Sequence, residues 1–263
     1  THSTSSAASD VYKRQTVRKA VSGRMKQRML MRAKQADVII TSSGRVLEDG
    51  HRGFVEWLAH HGLEGSVVEN RPLPPFADEK KPPENGWTVG YIGRVRDIRS
   101  FELLVEAVKT IPAFERPKLR VAGDGTAASK VRTLLMGEVE AGTIEAEVSG
   151  AFSQSELPEL LQSVDVMYAM YSPQRGNVLQ GALPVKVFDA ASGGVPSVVN
   201  AGCLMADVVV SENIGAHAPW GDAESVGQAL RSLRDTVAEL AATGEREHQR
   251  WLSAMNPVLE VLQ

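Results

Sequence analysis

The stretch LPVKVFDAASGGVPSVVN, residues 183–200, joins a helix start, a charged pair, a helix stop and a buried strand in one short unit. Pro184 suits the first position of a helix, because a residue there has no intrahelical acceptor for an N–H group in any case. Gly193-Gly194 end the predicted helix, and the apolar run Val198-Val199 predicts a buried strand. The unit therefore indicates an α/β fold.

The same helix carries a cation and a carboxylate near its beginning. Lys186 and Asp189 are three residues apart, which places them on one face of the helix. A helix N-terminus binds anions, because it exposes N–H groups and the positive end of the dipole. A lysine there adds a charge for phosphate, and a carboxylate one turn later can accept from sugar hydroxyls. A surface helix with an ion pair is the alternative interpretation.

Strands and helices alternate along the rest of the chain. Predicted strands cover residues 36–41, 66–69, 88–92, 119–122, 144–148 and 164–168, and predicted helices cover residues 46–61, 100–111, 128–138, 157–163, 221–243 and 251–262. Ser153 and Glu156 form a capping box before one of these helices. The alternation predicts a doubly wound parallel sheet, in which ligands bind beyond the carboxyl ends of the strands at the switch point.

Polar and glycine residues follow two of these strands and are expected at the same edge of the sheet. They are Gly93, Arg94 and Arg99 after residues 88–92, and Arg175, Gly176 and Asn177 after residues 164–168. Several cations around a helix N-terminus suit a diphosphate, which arginine binds in a bidentate manner. Taken singly, Arg94 and Arg99 also fit solvated surface positions.

The composition excludes several classes of function. The chain has 263 residues, a formal net charge of −3 and the single cysteine Cys203. The charge gives no support for a dedicated nucleic-acid binder, and one cysteine excludes an intramolecular disulfide and a multi-cysteine metal site. No apolar run approaches the roughly 20 residues that span a bilayer. The motifs G-x-G-x-x-G and G-x-x-x-x-G-K-[ST] are absent, which argues against NAD binding and a P-loop NTPase.

The beginning of the chain has two unusual features. Residues 5–15, SSAASDVYKRQ, resemble a translated sequencing adapter, which predicts an assembled environmental DNA fragment whose natural N-terminus is missing. Between Val11 and Ala36 there is no acidic residue, while several basic residues alternate with apolar ones. Such a helix could lie on anionic lipid, or its basic face could be solvated or contact another domain.

Four segments in this order resemble the C-terminal, donor-binding half of GT-B glycosyltransferases, and they are most similar to family-4-type retaining enzymes. They are VGYIGRVRDIRSFELLVEAV, RVAGDG, SGAFSQSELPELLQSVDVMYA and LPVKVFDAASGGVPSVV, all within residues 89–199. The upstream segments ADVIITSSGRVLEDG and SVVENRPL resemble the last units of the family's N-terminal, acceptor-binding domain.

The resemblance implies a Rossmann-like C-terminal domain with a remnant of the N-terminal one. The expected division is residues 1–15 from the adapter, 16–75 for the remnant, 76–86 for a linker, 87–243 for the donor-binding domain and 244–263 for a closing helix. The implied activity is transfer of a hexosyl-type sugar from a nucleotide diphosphate sugar to a glycan, lipid-linked or other acceptor, with retention. The chain alone is expected to bind nucleotide without turnover, because most of the acceptor-binding domain is missing.

The family also suggests a setting for this reaction. Bacterial cell-envelope polysaccharide synthesis in the cytoplasm is expected, with a peripheral contact to the inner membrane through the missing domain. No metal or other cofactor is expected, because arginines, lysine and a helix dipole can neutralise the diphosphate.

Site residues follow from the family's motifs. Arg94 falls on the arginine that comes after Gly93, and Arg99 falls where the family usually has lysine; both would bind the diphosphate as catalytic groups. Asp189 falls on the second acid of the paired-glutamate motif, which binds ribose. Further expected donor contacts are Lys186 of the P-x-K-x-F-E variant, Leu183 directly before that motif, the backbone of Gly150–Phe152 at the base, and Asn177.

This sequence departs from the family at the acidic pair. Asp189 is one methylene shorter than glutamate, and the first acid falls on Gly181, for which Asn177 or Arg175 are candidate substitutes. A different GT-B enzyme, such as a sugar-nucleotide epimerase, and a non-catalytic nucleotide-binding scaffold remain as alternatives.

Overall fold

The computed structural model describes residues 21–47, 50–72, 80, 83, 86–174, 178, 181–234 and 243–263. Its first part contains helix α1 (residues 21–33), strands β1 (Ile40–Thr41), β2 (Arg45–Leu47) and β3 (Gly50–Arg52), helix α2 (Phe54–Ala59) and strand β4 (Ser66–Val67). Strands β1 and β4 pair in parallel, and β2 and β3 form an antiparallel hairpin.

The helix predicted over residues 46–61 is wrong in its first half. The hairpin β2–β3 occupies that part, and only Phe54–Ala59 is helical. Gly53 separates the two elements with a φ of 73°, a left-handed conformation that glycine adopts readily and that interrupts a right-handed helix.

The second part is built on a six-stranded sheet. Its strands are β5 (Thr88–Ile92), β6 (Lys118–Ala122), β7 (Glu145–Val148), β8 (Val166–Ala169), β9 (Ser197–Asn200) and β10 (Gly215–Ala218). They lie in the order β10-β9-β8-β5-β6-β7, and all pairs are parallel. The chain reverses its direction of winding between β5 and β8, which confirms the predicted doubly wound sheet and fixes its switch point.

Helices cover both faces of this sheet. They are α3 (Ile98–Thr110), α4 (Ala128–Glu140), α5 (Leu157–Gln162), α6 (Val185–Ser192), α7 (Leu204–Ser211), α8 (Ala223–Arg234) and α9 (Thr243–Leu262). Every residue of the central strands β8 and β9 is buried, as expected for parallel strands covered on both sides. The capping box predicted at Ser153 and Glu156 is present, and it precedes α5. None of the described helices is long and apolar enough to cross a membrane.

A buried tyrosine joins the start of α3 to the end of β8. The Tyr168 hydroxyl donates to the Ser100 carbonyl at 2.9 Å, and the Ser100 hydroxyl donates to the Met170 carbonyl at 2.8 Å. Burial raises the pKa of Tyr168 above its ordinary value, so the phenol stays protonated. These bonds hold the two sides of the switch point together.

A charged group, here called the Arg71 cluster, joins the first part of the chain to the second. It consists of Glu69, Arg71, Phe188, Glu212 and Arg250. Arg71 donates from its two terminal nitrogens to Glu212 at 3.0 and 2.9 Å and from Nε to Glu69 at 2.6 Å. Its guanidinium lies 4.1 Å from the Phe188 ring centroid, and Arg250 pairs with Glu212. The cluster therefore ties residues before the sheet to α6, α7 and α9.

Lys80, within the predicted linker, makes a second tie. Its ammonium donates to the Gln162 carbonyl at 2.6 Å and lies 3.5 Å from the Asp165 carboxylate. Burial lowers the pKa of Lys80, and Asp165 partly offsets that effect.

Candidate functional site

A cavity of about 500 Å³ lies at the switch point of the sheet. Its wall comes from the end of β5 and the loop after it, from α5, from Met167 of β8 and from the start of α6. Switch points of open α/β sheets are where ligands bind, since the loops on either side diverge there. Location and size make it the candidate site.

Lys186 projects from the first turn of α6 into this cavity. Pro184 is the residue before the helix rather than its first residue, with φ −68° and ψ 129°. The Lys186 Nζ atom lies 3.4 Å from the centroid of the Tyr91 ring and 5.6 Å from that of Tyr171. A cation and a helix N-terminus therefore face the same space, which favours a ligand with negative charge.

Asp189 lies one turn further along α6 and also lines the cavity. Burial raises the pKa of its carboxyl group to about 6, because the charged form loses hydration. Among the residues that the structure describes, none donates a side-chain hydrogen bond or forms an ion pair to this carboxylate. The surface ion pair between Lys186 and Asp189, the alternative drawn from sequence, does not appear among the described salt bridges. Asp189 can therefore accept from a ligand.

Arg94 and Arg96 line the cavity from the loop after β5. Arg94 is exposed, and its backbone is fixed by the Tyr91 hydroxyl, which donates to the Arg94 carbonyl at 2.8 Å. Gly93 begins this loop with a φ of 132°, a value that favours glycine. The loop thus presents two guanidinium groups opposite the beginning of α6.

The structure brings together six of the residues predicted for the site. These are Gly93, Arg94, Phe152, Leu183, Lys186 and Asp189, all on the wall of the cavity. Gly150 lines instead a separate depression of about 190 Å³ next to Gly123 and Ser149. Asn177, together with Arg175, lies outside the described residues.

Arg99 does not line the cavity. It lies in the first turn of α3, where its guanidinium pairs with Asp97 at 3.1 Å and its side chain is 47% exposed. Asp97 also caps the helix by accepting from the Arg99 backbone N–H at 3.2 Å. The role predicted for Arg99 at the diphosphate stays a prediction, and it requires the side chain to leave Asp97.

Gly181 stands where the family's first acid was expected, and its surroundings leave no space for a side chain. Its φ is 92°, and a Cβ atom there would collide with the Cα atom of Gly53. The two glycines thus allow the turn before α2 to approach the turn before α6. An acidic side chain at position 181 would push these two turns apart.

Sequence reasoning missed Arg96, Tyr91 and Tyr171 as cavity residues. Arg96 is two residues after Arg94 in an extended loop, and this spacing is a signal that could have found it. The tyrosines gave no such signal, because an aromatic residue in or just after a predicted strand is typical of a core.

Within the described ranges, no group of three or more histidine, cysteine, aspartate or glutamate side chains could hold a metal ion. The expectation that no metal is needed stays a prediction.

Comparisons with known proteins bear on the fold around this cavity. The sequence profile described as glycosyl transferases group 1 matches residues 86–236, the whole of the six-stranded sheet. No curated protein sequence matches the chain.

Three similar solved structures indicate the fold. The Anabaena protein HepE in complex with UDP has a TM-score of 0.63 at 15% identity, with 86% of this chain and 64% of that one covered. The galactosyltransferase WaaB of the lipopolysaccharide outer core has a TM-score of 0.61 at 17% identity, covering 87% and 63%. Sucrose-phosphate synthase from Thermosynechococcus elongatus has 0.63 at 15%, covering 89% and 59%. The chain thus spans about three fifths of the length of these proteins.

Proposed function

The chain belongs to the group 1 glycosyl transferases, and we propose that its cavity binds the nucleoside diphosphate part of a sugar donor. The observation that carries the proposal is the meeting of Lys186, Arg94 and Asp189 on one cavity wall at the switch point of the sheet. Cations there match a diphosphate, and a carboxylate that can accept hydrogen bonds matches a ribose. HepE, whose fold is similar, was crystallised with UDP, which supports a uridine donor.

The diphosphate lies between the loop after β5 and the beginning of α6. Arg94 offers a planar pair of donors, Lys186 offers a mobile ammonium, and the first N–H groups of α6 add partial positive charge. These groups stabilise the charge that develops on the diphosphate as the bond to the sugar breaks. In this proposal they do so without a metal ion.

Ribose hydroxyls bind to Asp189, and the base lies near Phe152. The burial that raises the pKa of the Asp189 carboxyl to about 6 also removes competing water from it. Hydroxyl donors from a ribose would favour the charged form of the carboxylate and lower its pKa again.

The finer features of the reaction follow the family-4 resemblance. The sugar is transferred with retention to a glycan or lipid-linked acceptor, of the kind used in bacterial cell envelopes. The acceptor binds to the N-terminal domain, to which residues 16–75 belong in this scheme. The basic helix α1, with its exposed Met25 and Met31, contacts anionic lipid there. Sedimentation with phosphatidylglycerol vesicles, compared with phosphatidylcholine vesicles, tests that contact.

A second candidate function is nucleotide binding without sugar transfer. The observation that favours it is Gly181, where the approach of Gly53 leaves no space for the first acid of the pair. Such a protein would bind the diphosphate and ribose but would hold the sugar weakly.

Calorimetric titration of the 263-residue chain with UDP and with GDP tests the proposal. Arg94→Ala is expected to weaken nucleoside diphosphate binding about tenfold or more, because it removes a hydrogen-bonded charge from the phosphates. Arg231→Ala, at an exposed ion pair with Glu115, is the matched control and should leave binding unchanged. No binding of either nucleotide would contradict the proposal. Because this chain alone is expected to bind nucleotide without turnover, affinity tests the second candidate: UDP-sugars that bind no more tightly than UDP would favour it.

A further inference from the structure

Two tyrosine rings surround the ammonium group of Lys186. The Tyr91 ring belongs to β5, and its centroid is 3.4 Å from Nζ; the Tyr171 ring follows β8, and its centroid is 5.6 Å away. A cation within about 6 Å of an aromatic face is attracted by the ring quadrupole, more strongly where water is excluded. One ring lies in β5 and the other follows β8, the two strands that flank the switch point, so both rings restrict Lys186.

Tyr91 is itself held firmly. Its ring packs against Phe101 of α3, with centroids 4.6 Å apart and planes inclined by 55°. Its hydroxyl donates to the Arg94 carbonyl, and only 4% of the residue is exposed. One side chain therefore contacts both the lysine of α6 and the loop that carries Arg94.

The backbone of Tyr171 is held as well. Its N–H donates to the Asn200 side-chain oxygen at 2.7 Å, and its carbonyl accepts from the Asn200 amide nitrogen at 2.8 Å. Asn200 ends β9 and is buried. The second ring is thus attached to a fixed point of the sheet.

Gly93 gives Lys186 its space. A Cβ atom at this position would lie 3.4 Å from Lys186 Cε and 3.5 Å from Nζ, so any longer side chain would displace the lysine. The ammonium therefore rests directly beside the loop at which the diphosphate is expected.

We propose that Tyr91 is a positioning residue for Lys186: its ring holds the ammonium at the place where the diphosphate binds. This inference rests on the proposed function. A lysine side chain loses substantial conformational freedom when it binds an anion. The ring restricts that freedom before the ligand arrives, so less of the binding free energy is lost on ordering. The Tyr171 ring, 5.6 Å from the ammonium, adds to this restriction more weakly.

Titration of variants of the full chain with UDP and with uridine tests this role, first with two substitutions of Tyr91. Tyr91→Leu removes the ring face and is expected to weaken UDP binding about fivefold or more. Tyr91→Phe keeps the ring but loses the hydroxyl that donates to the Arg94 carbonyl, so its loss of affinity measures the loop alone and should be clearly smaller than the loss from Tyr91→Leu. Uridine, which lacks the diphosphate, should bind all variants equally. A purely structural role would weaken uridine and UDP alike and would overturn the proposal.

The double variant Tyr91→Leu/Lys186→Met completes a thermodynamic cycle with Lys186→Met. If the ring acts through the lysine, the loss from Tyr91→Leu should disappear once Lys186 is replaced. Independent losses, multiplied in the double variant, would contradict the proposal.

An NMR measurement that needs no ligand separates this inference from the proposed function. The Lys186 ε-methylene protons, assigned by their absence in Lys186→Met, should be shifted upfield by the ring currents of Tyr91, and Tyr91→Leu should remove that shift. Failure of the unsubstituted chain to bind any nucleoside diphosphate would contradict the proposed function. Absence of the upfield shift would contradict the positioning role.

Discussion

The Arg71 cluster contains buried charges and the cavity contains half-buried ones, and their contacts differ. In the cluster, Arg71 donates to Glu69 and Glu212, and Arg250 pairs with Glu212. In the cavity, Lys186 lies on a tyrosine ring, and Asp189 receives no side-chain hydrogen bond from the described residues. Mutual pairing fixes two parts of a chain against each other. Asp189 keeps its capacity to accept a hydrogen bond from a ligand, and a carboxyl group with a raised pKa in a cavity marks a candidate functional site.

The largest effect is expected from breaking the cluster. Arg71→Met should reduce the free energy of unfolding by about 3–5 kcal/mol, because it leaves Glu69 and Glu212 buried with less compensation. Urea denaturation measures it, and Arg231→Met, which breaks an exposed ion pair, is the control with an expected loss of about 0–1 kcal/mol. Equal losses in the two variants would mean that the cluster is no more structural than a surface pair.

The next effect concerns the cost of burying Asp189. Its pKa is raised from 3.8 to about 6, so the folded state holds its proton more tightly than the unfolded state. The free energy of unfolding is therefore highest below pH 4. It falls by about 2–3 kcal/mol as the pH rises through about 6. Asp189→Asn lacks this loss, so relative to the unsubstituted chain it should gain stability between pH 4 and pH 7.5.

Denaturation curves at both pH values provide this measurement, with Asp207→Asn as the exposed control on α7. If the difference in the free energy of unfolding between Asp189→Asn and the unsubstituted chain does not change with pH, the carboxyl group does not titrate as proposed.

Protonation of Asp189 should also change the affinity for UDP, with a smaller effect. If the ribose binds the ionised form, protonation of Asp189 competes with the ligand, and affinity for UDP should fall about tenfold from pH 7.5 to pH 5. UDP itself titrates in this range, so the informative quantity is the affinity ratio between the unsubstituted chain and Asp189→Asn. A ratio that stays constant with pH would remove Asp189 from the ribose site.

The smallest effect is expected at Arg99. Its guanidinium is occupied by Asp97 outside the cavity, so Arg99→Ala should weaken UDP binding only about threefold, against about tenfold for Arg94→Ala. Calorimetry of the two variants side by side measures this. A loss as large as that of Arg94→Ala would indicate that Arg99 turns into the cavity when the ligand binds.

Five of the six strands of the sheet were predictable because their signals are local, whereas β10 and helix α7 were missed. Short apolar runs alternate with helical periodicity, and Gly193 ends α6 as the sequence indicates. The hairpin β2–β3 was missed because residues 46–61 carry apolar residues that also fit a helix, and the left-handed turn at Gly53 is visible only as a glycine in sequence.

The positions of the site residues were predictable from sequence, but the orientations of their side chains were not. Motif order placed Arg94, Lys186 and Asp189 at one edge, because parallel strands end together. The pairing of Arg99 with Asp97 depends on a choice between side-chain rotamers. The approach of Gly53 to Gly181 joins residues far apart in the chain, and no local pattern encodes it.

The strand order has a consequence for synthesis on the ribosome. Of the six strands in the large sheet, β5 is synthesised first, but it lies in the middle of the finished sheet. The Thr88 N–H at its start donates to the Asp165 carboxylate, which is synthesised 77 residues later. At roughly 5–20 residues per second, one edge of β5 stays open for about 4–15 s in the nascent chain. Until β8 emerges, the growing polypeptide exposes an unpaired strand edge, which is prone to aggregation, so translation pauses before β8 should lower the soluble yield.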